Sequence, residues 1–118
     1  MSKRNPAVLL IDILQATERI KSYIEGYSFK DFVTDTKTVD AVVRNLEIIG
    51  EASRILPEDF KERYKQIPWK IITGLRNRVT HEYFGVDESI VWKIASEELE
   101  PLIRNVQTIL KSEKDKER

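Results

Sequence analysis

Apolar residues recur along this chain at intervals of three and four rather than two, which is the period of an α-helix. In the first segment Leu9, Ile13, Ala16, Ile20 and Ile24 make one stripe. Leu10, Leu14 and Tyr23 lie beside it, while Asp12, Gln15, Glu18, Arg19 and Ser22 take the opposite side. Gly26 is placed to end that helix. Ser28 followed by Asp31 outlines a capping box for a short turn holding Phe29 and Phe32. A second long helix starts near Asp35 or Thr36, striped by Val39, Val42, Val43, Leu46, Ile49 and Ile55. Gly50 interrupts it at a cost of about 1 kcal/mol relative to Ala, which suggests that another backbone or helix approaches closely there. Pro57 stops this helix and serves as the first position of a short piece over 58–64.

Ile67 and Pro68 open the next helix, with Ile67 able to staple back onto Ile71 or Ile72. Its stripe is Ile72, Leu75 and Val79, and Gly85 ends it. Asp87 is a ready N-cap for the last helix, preceded by apolar Val86. That helix carries the longest stripe: Val91, Ile94, Ala95, Leu99, Leu102, Ile103, Val106, Ile109 and Leu110. Pro101 lies inside it, removes one donor and clashes one turn back, so a kink is expected over 95–98. Residues 111–118 contain no apolar side chain and read as a frayed, solvated end. The pattern predicts an all-α fold: an antiparallel bundle of three long and two short helices, in a single domain over 1–118.

Composition narrows the function. At 118 residues, 41% apolar and 34% charged, the chain suits one globular domain, too charged for a membrane protein and too apolar for a disordered one. No run approaches the roughly 18 to 20 apolar residues of a membrane span, and the N-terminal stretch has no signal-peptide order, so a cytoplasmic protein is expected. The absence of Cys excludes disulfides, a thiolate nucleophile and thiolate zinc sites. The single His excludes His-rich metal clusters. Any metal would have to be held mainly by carboxylates, and no metal or cofactor is expected. The 20 basic and 20 acidic residues cancel, so a nucleic-acid partner has to be met by a local patch.

Such a patch exists in one stretch, Gly74-Leu75-Arg76-Asn77-Arg78-Val79-Thr80-His81-Glu82-Tyr83-Phe84. Residues 68–85 carry a net charge of +2 before His81 takes a proton. At about 100° per residue, Arg76, Thr80 and Tyr83 would share a helix face, with Asn77 and His81 as an i,i+4 pair beside them. A His can exchange a proton near neutrality, and an Arg fork can hold a phosphate and stabilise the added charge of its transition state. Asn77 could orient His81, and Tyr83 offers a hydroxyl and a stacking surface. With RNA the substrate's own 2′-hydroxyl is the nucleophile, so neither a metal nor a protein nucleophile is required. The same residues have a plainer reading. A lone His near a helix C-terminus can simply complement the dipole, and an Arg78–Glu82 pair would be a surface salt bridge of about 0.3 to 0.5 kcal/mol. Spacing alone leaves both open.

The run Arg76-Asn77-Arg78-Val79-Thr80-His81-Glu82-Tyr83 resembles the Arg, four residues, His, one residue, Tyr motif of HEPN-domain ribonuclease toxins of the HepT-like branch. The likeness extends to residues 10–14, to 40–52, to Ile67-Pro68-Trp69, and to Tyr83-Phe84-Gly85-Val86-Asp87, covering roughly residues 7–110 in all. The residue before the His is often apolar in that family, and here it is Thr80. The resemblance implies a metal-independent endoribonuclease, with Arg76 polarising the scissile phosphate and His81 as general acid or base. Asn77 would orient that pair, and Arg78 would add phosphate contacts. Tyr83 would receive AMP from ATP through an antitoxin, a minimal nucleotidyltransferase of the MNT type. It further implies a homodimer in which two motifs meet in a cleft. A non-catalytic HEPN module that binds nucleotide, RNA or its partner is the alternative, and a purely structural bundle with Gly50 as its dimer contact is a third reading.

Overall fold

A computed structural model describes residues 5–81 and 85–116, with only the backbone course given for Thr80, His81 and Lys116. Its elements are almost all helical. Helix α1 spans Pro6–Ile24, α2 Phe29–Val33, α3 Thr36–Ile55, α4 Glu58–Arg63, α5 Trp69–Thr73 and α6 Leu75–Val79. A two-residue antiparallel ladder follows, β1 Thr80–His81 with β2 Gly85–Val86. Helix α7, Glu88–Lys93, then runs through a π turn, Ile94–Glu98, into α8, Leu99–Lys116.

The helix starts follow their caps. Asn5 accepts from the Ala7 N–H before α1, with Pro6 in the first turn, where a missing donor costs nothing. Ser28 and Asp31 form the full reciprocal capping box of α2. Asp35 caps α3 by accepting from the Thr38 N–H at 3.2 Å, and Asp87 caps α7 by accepting from the Ile90 N–H at 3.2 Å. Gly26, at φ +77°, takes the left-handed turn after α1. Pro57 and Pro68 stand one residue outside the helices they were expected to open.

Most of the predicted stripes enter the core, joined by Leu56, Phe60, Ile67 and Trp69 from outside them. Leu9, Leu10, Ile13, Ala16 and Ile20 of α1 pack with Val39, Val42, Leu46 and Ile49 of α3 and with the inner face of the last helix, from Val91 to Ile109. Ile55, of the second stripe, does not join it and is 45% exposed, and Tyr23, beside the first stripe, is exposed as well. Gly50 is buried, and a Cβ there would lie 3.2 Å from the Ile72 carbonyl oxygen and 3.3 Å from that of Thr73. The predicted close backbone is therefore α5 of the same chain. This overturns the idea of Gly50 as a dimer contact.

The last helix departs from regularity at its predicted place. Pro101 has no N–H to give the carbonyl four residues earlier, and the chain absorbs the loss as the π turn Ile94–Glu98. The end of the chain differs from its reading. Helix α8 stays helical through Lys116, and the Tyr64 hydroxyl donates to the Glu113 carboxylate, which also faces Arg63 at 3.9 Å. A lack of apolar residues at 111–118 hid a polar anchor.

Candidate active site

The largest difference from the pattern falls on the functional stretch. Instead of one helix from Pro68 to the neighbourhood of Gly85, α5 ends at Thr73, Gly74 forms a turn, and α6 ends at Val79. Two β-branched residues, Val79 and Thr80, disfavour continuation. From there the backbone extends into β1, where Thr80 pairs with Val86 and His81 with Gly85. Gly85 takes φ +76°, which side chains with a Cβ rarely adopt. The Val79 carbonyl accepts from the Asp87 N–H at 2.7 Å, so one of the open carbonyls at the helix end finds its partner in the returning strand. Thr80 and His81 therefore lie beyond the helix that carries Arg76 and Asn77, so the helical i,i+4 spacing of Asn77 and His81 is not kept; the expected face with Tyr83 lies outside the described residues. The β-branched pair Val79 and Thr80, with Gly85 a few residues on, was the signal that could have announced the strand.

Helix α6 has a simple cross-section. Leu75 and Val79 are buried at 4% and 0% exposure and face the core, with Arg76 and Arg78 flanking them on opposite sides and Asn77 pointing outward. The two arginines meet different helices. Arg76 Nε lies 3.5 Å from Oε2 of Glu47 on α3, with 72% of its side chain exposed. Arg78 donates from Nη1 and Nη2 to the two carboxylate oxygens of Glu98, both at 2.8 Å, and both side chains are 35% exposed. That bidentate fork raises the Arg78 guanidinium further and holds the Glu98 carboxyl below the usual carboxylate range.

In this geometry Arg78 has Glu98 from the π turn as a partner. Its fork is held by a carboxylate, whereas the Arg76 side chain is 72% exposed and its contact with Glu47 is longer, at 3.5 Å. Neither glutamate was singled out from the sequence, because 29 and 20 residues respectively separate them from the arginines they meet.

Beneath the site, α5 is held firmly. Trp69 Nε1 donates to the carbonyls of Lys61 and Tyr64, at 3.2 and 3.0 Å. Ser53 Oγ, on α3, lies 3.0 Å from Thr73 Oγ1 and donates to the Trp69 carbonyl at 3.4 Å. Buried hydrogen bonds and the Gly50 contact thus tie α4, α5 and α3 together. His81 is placed in β1 by its backbone; Glu82 and Tyr83 lie outside the described residues.

The sequence profile described as ribonuclease HepT-like matches residues 13–109. The chain belongs to the HepT-like ribonuclease family. A protein of Caldanaerobacter subterraneus subsp. tengcongensis named as an RNase is 43% identical over 111 residues, covering 94% of this chain and 99% of that one. The similar protein of Thermococcus cleftensis named as ribonuclease HepT is 43% identical over 100 residues, covering 85% and 91%. In Methanocaldococcus jannaschii a further relative named as an RNase is 38% identical over 109 residues, covering 92% of this chain and all of that one. No solved structure matches the chain. Membership of the HepT-like family supports a ribonuclease role, with RNA as the substrate class, and the all-α fold agrees with it. None of the described helices is long and apolar enough to cross a membrane.

Proposed function

We propose that this HepT-like protein is a metal-independent endoribonuclease, the toxin of a HEPN/MNT toxin–antitoxin pair, acting in the cytoplasm. The substrate's 2′-hydroxyl attacks the adjacent phosphorus, the bond to the 5′-oxygen breaks, and a 2′,3′-cyclic phosphate remains on one fragment. Arg76 binds a non-bridging oxygen and offsets the charge that builds on the phosphorane. His81 takes the 2′-proton or gives one to the leaving oxygen, and a homodimer with two motifs in one cleft would supply a second His81 for the complementary transfer. Asn77 has the polar side chain to orient this pair. The observation that carries the proposal is the division of labour on α6: Arg78 is occupied by Glu98, while Arg76, five residues before His81, is widely exposed. Control would come from Tyr83, whose phenolic oxygen attacks the α-phosphorus of ATP on the nucleotidyltransferase antitoxin and releases pyrophosphate. The adenylate adds bulk and negative charge beside Arg76, opposing RNA by sterics and repulsion.

The test uses protein shown by mass spectrometry to be unmodified at Tyr83. It should cleave RNA in EDTA and leave cyclic phosphate ends. Arg76→Ala and His81→Ala should each lower the rate by about 100-fold or more while leaving the melting temperature nearly unchanged. Cleavage that persists in His81→Ala removes His81 from the mechanism. Binding without cleavage by the unmodified wild type favours a non-catalytic RNA-binding module.

A further inference from the structure

A helix of five residues does not hold itself in water, so the direction in which α6 aims Arg76 has to be imposed from outside. Leu75 and Val79 seat the helix on the core, but these two anchors lie almost on one line along its axis. They resist lifting far better than they resist rolling. A roll about that line swings the flanking arginines, and Arg76 with them. A strong lateral restraint is the two-point fork from Arg78 to Glu98, with both bonds at 2.8 Å, whereas Arg76 Nε stands 3.5 Å from the Glu47 carboxylate on the other flank.

Glu98 reaches that fork from an unusual backbone. It is the last residue of the π turn, where the helix is widened by the missing donor of Pro101, and π turns of this kind collect at functional sites. Its neighbour Glu97, in the same turn, is exposed. Of the two acids, the π turn gives Glu98 to α6.

We propose that Glu98 is a positioning residue of the ribonuclease site: by clamping Arg78 it fixes the roll of α6 and so the aim of Arg76 at the phosphate. The role rests on the ribonuclease reading above. Glu98 touches no substrate in this scheme. It sets the geometry of a group that does, where a misplacement of about 1 Å can cost up to about 100-fold.

The experiment compares wild type, Glu98→Gln, Glu97→Gln and the reversed pair Arg78→Glu with Glu98→Arg, all unmodified at Tyr83. Steady-state cleavage of an oligoribonucleotide is measured well below each melting temperature, with amide hydrogen exchange followed over residues 75–79. For Glu98→Gln the expectation is a fall in kcat of about tenfold with KM within about twofold, and faster exchange confined to α6. Glu97→Gln should match wild type, and the reversed pair should recover a large part of kcat. The role is overturned if Glu98→Gln cleaves like wild type, if α6 exchange is unchanged, or if the reversed pair restores the melting temperature but not kcat. Wild-type protein that cleaves no RNA overturns the ribonuclease reading and this role with it, whereas an active wild type equalled by Glu98→Gln overturns the role alone.

Discussion

Arg76 and Glu47 face each other across the seam between α6 and α3, Nε to Oε2 at 3.5 Å, with the arginine side chain 72% exposed. A contact of this length and exposure is worth well under 1 kcal/mol, too little to withhold the guanidinium from a phosphate but enough to compete with it. Glu47→Gln should therefore tighten RNA binding, by up to about fivefold at low salt. Fluorescence anisotropy with labelled RNA on a His81→Ala background checks this without cleavage. An unchanged dissociation constant would show that Glu47 does not compete.

The basic surface around Arg76 is small, since Arg78 is neutralised by Glu98 and the chain as a whole carries no net charge. Binding should release few counterions. The slope of log K against log salt is expected near −2, as for about three phosphates of a single strand. A slope steeper than about −5 would reveal an extended basic track.

Acid should cost stability where the folded state holds a carboxylate ionised by hydrogen bonds. Asp35, the cap of α3, accepts from the Tyr27 hydroxyl at 2.6 Å and from Thr38, and these bonds hold its carboxyl below the ordinary range. A depressed folded value means the stabilisation is whole above the unfolded pKa, about 3.9, and is lost as pH falls through the folded value. Tyr27→Phe removes the leading cause. The Asp35 pKa, followed by NMR, should rise in that variant, and the stability lost on acidification, which still sets in at the unfolded pKa, should be smaller than in wild type. An unmoved Asp35 titration would assign the shift to Thr38 alone.

How far the sequence discloses this molecule depends on the range of the interaction. Helix starts at Asn5, Ser28, Asp35 and Asp87 depend on residues within three positions, and the caps other than Asn5 were legible from spacing. The stripes of α1, α3 and the last helix follow from a period, and Gly50 marked a close backbone without saying whose. At the candidate site the legibility ends. Periodicity carried a helix through Val79 to the region of Gly85, because an arginine-rich polar run looks alike in a helix and at the end of one. The strand pairing of His81 with Gly85 depends on a backbone that turns back on itself. Glu98 meets Arg78 only once two helices have packed. Motif residues could be named in advance, but their partners could not.

Gly50→Ala tests how stiffly the platform beneath the site is held. At an open helical position this change should stabilise by about 1 kcal/mol. Here the new methyl would stand 3.2 and 3.3 Å from the carbonyl oxygens of Ile72 and Thr73, closer than ordinary van der Waals contact, so α5 must give way by a few tenths of an ångström. Those carbonyls belong to a helix pinned by Trp69 and by the Ser53–Thr73 bond, and backbone cannot swing aside as a side chain can. Overpacking should win over propensity, giving a net loss of about 1 to 2 kcal/mol in urea unfolding. Because α6 follows α5 after Gly74 alone, part of the shift should reach Arg76 and lower the cleavage rate at temperatures where the variant is fully folded. A stabilised variant with undiminished activity would show that α5 yields freely and that the seam does not position the site.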